Sequence, residues 1–285
     1  MYMLDILYTY AYKNSIPRNK VSYLLSINNK KIDYVFLGSS RVDNNIVTKI
    51  IENETGKSAI NLGVQGAKLD DYFLMLQLLK KQNIKTRKVF IQVDYVYNIE
   101  GSSDILKSYL LPYINDDLIS KFIEERDSDF FRLKYFPFYR YLTYDYKLGF
   151  REFFNSIMKN KSKTNFEDGY FPKYGSQGNK LGASLPKTIV FENKTIKAID
   201  KFAKENNIKI IYFMAPFCNN TTNKDFSAKL KVKIPDLWDY SQLFSEDNYF
   251  FNCTHLNNEG AKEFSKRIAF DILKQHTNNL NKEIN

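Results

Sequence analysis

Short apolar runs and helically spaced apolar positions take turns along the first hundred residues. Asp33–Leu37 (DYVFL) predicts a buried strand closed by Gly38, Ser39 and Ser40. A helical stretch around Ile46–Glu54 leads to Ser58–Leu62 (SAINL), a second strand ending at Gly63. Leu69–Lys81 carries apolar side chains at helical spacing and closes on two lysines, which suit the negative end of a helix dipole. Lys88–Val93 (KVFIQV) predicts the third strand. The pattern returns with a helix over Pro186–Asn206 and a fourth strand over Ile208–Met214, stopped by Pro216. A short fifth strand is expected near Tyr249–Phe251. A last helix is expected from about Asn258 to Gln275, with Ala261, Phe264, Ile268, Phe270 and Ile272 as its apolar face and a frayed tail, HTNNLNKEIN, beyond it.

Strands alternating with helices predict a parallel sheet with crossover helices. The expected fold is α/β: a three-layer sandwich, flavodoxin-like, around a parallel five-stranded sheet. From about Gly101 to Leu185 the alternation stops and aromatic residues cluster, as in FFRLKYFPFYRYLTYDYKLGFREFF. This reads as a helical, aromatic-rich insertion that ends in a loop-like stretch rich in Gly, Asn and Lys, with its rings mainly serving as core. The chain, 1–285, is expected to form a single domain, with its core at about 30–100 and 186–275.

Composition narrows the function classes. With 285 residues and 23 Phe and 21 Tyr against one Trp, the chain can bury a large core, so disorder is excluded for most of it. The net charge of +10 favours anionic partners. Apart from KNKSK at 159–163 the basic residues are scattered, so no nucleic-acid partner is expected. Cys218 and Cys253 permit at most one disulfide and no four-cysteine zinc site, which leaves the redox compartment open. No apolar run of about eighteen residues is present, and the opening MYMLDILYTYAYKNS lacks the marks of a signal peptide. The chain as given is expected to be soluble, although that opening segment would suit the end of a stalk below a membrane anchor.

In an open parallel sheet, ligands bind beyond the carboxyl ends of the strands. The residues there are Gly38–Arg41, Gly63–Gly66, Asp94 with Tyr95 and Asn98, Ala215–Phe217, and Asn252–His255. Of two histidines, His276 falls in the last turn of the final helix, where an imidazole is an ordinary surface feature. His255 precedes that helix, on the side where Ser40 is expected, so Ser40 and His255 are the nucleophile–base pair the layout supports. Each feature has a plainer use. Ser39 or Ser40 can cap the following helix, and a glycine such as Gly63 commonly meets the needs of a turn. Cys253 beside His255 lacks the companions of a metal site.

FLGSSRV (36–42), NLGVQGA (61–67), VFIQVDYVYN (89–98) and NCTHLNNEGA (252–261) resemble, in order and spacing, the four sequence blocks of the SGNH (GDSL-type) hydrolase superfamily. The GSSR form, with a segment upstream and an aromatic insertion, resembles the bacterial cell-envelope branch found near polysaccharide and teichoic-acid acylation systems. The resemblance implies a serine esterase or O-acyltransferase that acts on acylated, above all acetylated, carbohydrate. Ser40 would be the nucleophile and His255 the base, with the Ser40 and Gly63 amides forming an oxyanion hole and Asn98 a weaker donor. It implies no cofactor and no metal. The implied partners are an acylated polysaccharide or small acyl ester and a membrane-bound acyltransferase, in an extracytoplasmic setting. Two positions depart from the pattern. Asn252 stands where the superfamily has an aspartate that orients and charges the histidine; an amide can orient the ring but cannot compensate its charge. Asp94 stands where an asparagine commonly faces the oxyanion, and an ion pair with Arg41 is expected to neutralise it. The alternative is a weak or inactive SGNH-fold protein that binds glycan or assembles a polysaccharide-modification complex.

Overall fold

The computed structural model describes residues 1–177 and 182–283, with side chains as far as residue 275. Its centre is an all-parallel sheet of β1 (Tyr34–Leu37), β2 (Ala59–Asn61), β3 (Lys88–Gln92), β4 (Ile210–Met214) and β5 (Trp238–Asp239), in the spatial order β2-β1-β3-β4-β5. Val35 pairs with Ile60 on one side and Val89 on the other, so β1 is the central point from which the chain steps outward in both directions. That is the flavodoxin-like order, which leaves a crevice at the carboxyl end of β1.

Successive side chains of a strand point to opposite faces, and the two faces have separate cores. Val35, Leu37, Val89 and Ile91 pack with α2 (Lys20–Ser26), α5 (Leu69–Lys81) and α12 (Lys194–Glu205). Tyr34, Phe36, Phe90 and Phe213 pack with α4 (Thr48–Thr55) and α14 (Asn258–Glu283). Helix starts follow local chemistry. Asn19 and Ser22 close a capping box on α2, and Asn193 caps α12 by accepting from the Ile196 amide, so that helix begins at Lys194 rather than near Pro186.

Three expectations at the C-terminal end need correction. Phe250–Asn252 (β6) pairs antiparallel with His255–Leu256 (β7) in a small hairpin, and the fifth place in the sheet belongs to Trp238–Asp239, which follows α13 (Phe226–Lys233). A two-residue strand has no periodicity to read. Phe270 is 57% exposed and so is not part of the apolar face of α14. That helix also continues to Glu283, through a tail that contains neither glycine nor proline to stop it. The side chain of His276 lies outside the described residues.

Between β3 and α12, the described residues form six short α-helices: α6 (Asp104–Leu110), α7 (Asp117–Glu124), α8 (Phe130–Tyr135), α9 (Tyr139–Thr143), α10 (Asp145–Leu148) and α11 (Phe150–Ile157). Part of their core comes from the chain's beginning. On α1 (Tyr2–Asn14), Tyr8 stacks on Phe153 with ring centroids 3.9 Å apart, and Asp5 pairs with Arg140 at 2.7 Å. The aromatic residues divide: Tyr141, Phe138 and Tyr144 are buried, whereas Phe131, Tyr146 and Phe150 are exposed. No helix among the described residues is long and apolar enough to cross a membrane.

Candidate active site

The two serines after β1 have different uses. Ser39 caps α3 (Ser40–Asp43): its Oγ accepts from the Arg41 amide at 3.2 Å and donates to Gln92 Oε1 at 2.9 Å. Ser40 is left with its hydroxyl 2.7 Å from Nε2 of His255, 215 residues away in sequence. His255 is presented by the β6–β7 hairpin, whose turn is organised by Asn252. One oxygen, Asn252 Oδ1, accepts from the amides of Thr254 and His255, each at 3.1 Å, and lies 3.0 Å from His255 Nδ1. Two backbone donors identify that end of the amide as oxygen, which accepts from the Nδ1–H tautomer, and the Thr254 hydroxyl lies 3.0 Å from the same nitrogen. The lone pair of Nε2 therefore faces Ser40, the tautomer a general base requires.

The charge around His255 is positive. Its pKa is pushed down to about 4 by burial first, then by Arg41 and Lys173. The ring is neutral at pH 7, and no carboxylate among the described residues pairs with it to offset the charge it gains on accepting a proton.

Arg41 is enclosed beneath the nucleophile, and the ion pair with Asp94 is present at 2.8 Å. Burial opposes both charges, raising the pKa of Asp94 and lowering that of Arg41, while their mutual attraction supports both. The other Asp94 oxygen accepts from the Val96 amide at 3.1 Å, so this carboxylate is committed to structure. The Arg41 guanidinium also donates to the carbonyls of Thr254 (2.6 Å), Ala215 (2.7 Å) and Pro216 (3.1 Å), and lies 3.6 Å from the Phe217 ring centroid. It ties together the ends of β3 and β4 and the histidine hairpin.

Two expected oxyanion donors are otherwise engaged. The Gly63 amide donates to Asn61 Oδ1 at 3.0 Å, an Asx-type bond that competes with any ligand. Gly63 is required there for closeness: a Cβ would come within 2.4 Å of the Asp43 nitrogen and 2.9 Å of the Ser39 oxygen. Asn98 uses its amide group on the Thr188 carbonyl and the Val190 amide, pinning the segment before α12. The Ser40 amide, in the first turn of α3, has no intrahelical acceptor.

Three further contributions surround the pair, and of their residues the sequence pattern leaves Lys20 and Lys173 unmarked. Cys218 and Cys253 form the one disulfide the sequence permits, which fastens the histidine hairpin to the loop after β4. Lys20, from α2, is buried with its Nζ 2.6 Å from Asp43 and 3.1 Å from Asn61. The FEDGYFP loop docks alongside: the Asp168 carbonyl accepts from the Asn61 amide at 2.9 Å, and Gly169 adopts φ +76° where a Cβ would strike the Asn61 oxygen. This loop carries Lys173 toward His255. No group of three or more His, Cys, Asp or Glu side chains among the described residues could hold a metal ion.

No family model and no curated protein matches the chain. Among solved structures it is similar to a protein from Desulfitobacterium hafniense DCB-2 described as lipolytic and of the G-D-S-L family. The identity is 12% and the TM-score 0.39, over 85% of this chain and 98% of that one.

Proposed function

We propose that the chain is a serine esterase or O-acyltransferase of the SGNH type, acting on acylated, above all acetylated, carbohydrate of the bacterial cell envelope. The observation that carries this reading is the 2.7 Å contact between Ser40 Oγ and His255 Nε2, with the ring tautomer set by Asn252. His255 takes the Ser40 proton as Oγ attacks the ester carbonyl, and the oxyanion forms against the Ser40 amide. The Gly63 amide joins only by sharing its proton with Asn61. Collapse expels the sugar hydroxyl, which receives the proton from Nε2, and leaves acyl-Ser40. Water or a second sugar hydroxyl, deprotonated by His255, then takes the acyl group and restores the serine.

The whole chain acts as one unit in this reading, because α1 completes the insertion's core and Lys20 reaches the Asp43–Asn61 pair beside Gly63. The Cys218–Cys253 disulfide favours an oxidising compartment, as expected of an exported protein that works beside a membrane-bound acyltransferase. Acetate release from an acetylated oligosaccharide tests the reading. Wild type should exceed Ser40→Ala and His255→Ala by at least about a thousandfold; equal rates would contradict it.

Asn252 favours a second reading, a glycan-binding protein without turnover, because an amide leaves the imidazolium uncompensated. Binding of the acetylated oligosaccharide without acetate release would select it.

A further inference from the structure

Two hollows join end to end on the side of the molecule where the insertion meets the chain's beginning. The nearer, about 470 Å³, starts at Gly63, Val64 and Asp43 and runs beneath Phe166 and Phe171. The farther, about 540 Å³, continues past Tyr113, Tyr146 and Phe150. They share Arg18, Tyr109, Lys147 and Arg151, so together they form one trough.

The near end is built on the helix that bears Ser40. Asp43 is the last residue of α3, and its carbonyl accepts from the Phe171 amide at 2.9 Å. From Phe171 the loop runs on to Lys173, which acts on His255. The near hollow thus ends against the last residue of the short helix that begins with Ser40.

The lining of the near hollow is strongly one-signed. Asp43 is the sole acid of the near hollow and is taken by Lys20, while in the far hollow Glu152 is taken by Arg18. Asp145 is the other acid of the far hollow. Lys147, Arg151, Lys161 and Lys163 have no acidic partner among the described residues. These four cations are interleaved with Tyr109, Phe166 and Phe171, rings of the kind that stack on the apolar faces of sugars while the cations meet anionic substituents.

We infer that this trough seats an anionic glycan, a chain of sugars bearing carboxylate or phosphate groups, and delivers its acyl esters to Ser40. The delivery rests on the esterase reading above; the binding does not. A nucleic acid would meet the same charge but carries no acyl ester for Ser40 to attack.

The test is fluorescence anisotropy on the full chain with labelled polygalacturonate, for carboxylate, and labelled phosphomannan, for phosphate. Neutral dextran and a single-stranded DNA oligonucleotide serve as controls. The expected result is tighter binding of one or both anionic glycans than of dextran or DNA, with the preferred glycan naming the anion. The variant Arg151→Glu/Lys161→Glu/Lys163→Glu changes only exposed side chains and should weaken that binding by roughly a hundredfold at low salt, with an unchanged circular dichroism spectrum. Ser40→Ala should bind as wild type does. Equal affinity for dextran, tighter binding of DNA, no binding, or a triple variant that binds like wild type overturns the trough. If binding holds while acetate release fails, the trough stands and the esterase reading falls; the reverse pattern removes the trough alone.

Discussion

Arg41 Nε lies 2.8 Å from Asp94 Oδ2, with the two side chains 1% and 0% exposed, directly beneath the serine that meets His255. The same guanidinium holds the carbonyl of Thr254, the residue before that histidine. The pair thus places the histidine hairpin relative to the nucleophile without touching either reacting atom. Replacing Arg41 by Ala leaves Asp94 buried and unpaired, which costs about 3–5 kcal/mol. Urea denaturation of Arg41→Ala should show that loss, with a smaller one for Asp94→Asn, which keeps a hydrogen-bonding oxygen. A loss below about 1 kcal/mol for Arg41→Ala would mean that the pair does not organise the site.

The hairpin has a second fastening in the Cys218–Cys253 disulfide, which spans 35 positions. By loop-closure entropy a crosslink of that span contributes about 2–4 kcal/mol. Cys218→Ser/Cys253→Ser should lose that amount in urea, and wild type in reductant should match it. Unchanged midpoints in both samples would contradict the crosslink's role.

Much of this frame was legible in sequence for a definite reason. Leu69–Lys81 is long and strongly periodic, and the helix occupies those residues. The first four strands are apolar runs closed by breakers, and each was located to within two residues of its observed bounds. Ser40 and His255 were legible as a pair because each falls just past an apolar run, and Asn252 because the family resemblance implies a ring-orienting residue three positions before the histidine. Contacts made across long separations were not: Lys20 on Asn61, Asp168 on Asn61, and Asn98 on Val190. A side-chain bond such as Gly63 to Asn61 leaves no periodic trace either.

The lowered pKa of His255 sets a pH dependence with a definite sign. A base works when neutral, and with a pKa of about 4 the ring stays neutral through mildly acidic conditions. Activity should therefore persist at pH 5.5 and fall only as pH drops toward 4. In Asn252→Asp the new carboxylate favours the protonated ring, so the acid limb should move up toward the ordinary histidine value. The rate on the alkaline plateau should rise by about tenfold or more, since the imidazolium formed in the transition state is then compensated. Rate profiles of the two proteins from pH 3.5 to 9 decide this; a downward shift of the limb in Asn252→Asp would reverse the electrostatic account.

Gly63 offers a steric test of the near wall. An added methyl meets backbone atoms of Ser39 and Asp43, which cannot move without displacing α3. Gly63→Ala should cost about 1–3 kcal/mol and slow acyl transfer, whereas a substitution at exposed Asn53 on α4 should do neither. Thermal melts and initial rates of the two variants give the comparison.

The central claim is that Ser40 is an activated nucleophile and His255 its base. It is tested most directly by a fluorophosphonate probe applied to wild type, Ser40→Ala and His255→Ala, with folding checked by circular dichroism. The account predicts stoichiometric labelling of wild type at Ser40 and none of either variant. A well-folded wild type that takes no label, or a His255→Ala variant labelled at the wild-type rate, would contradict it.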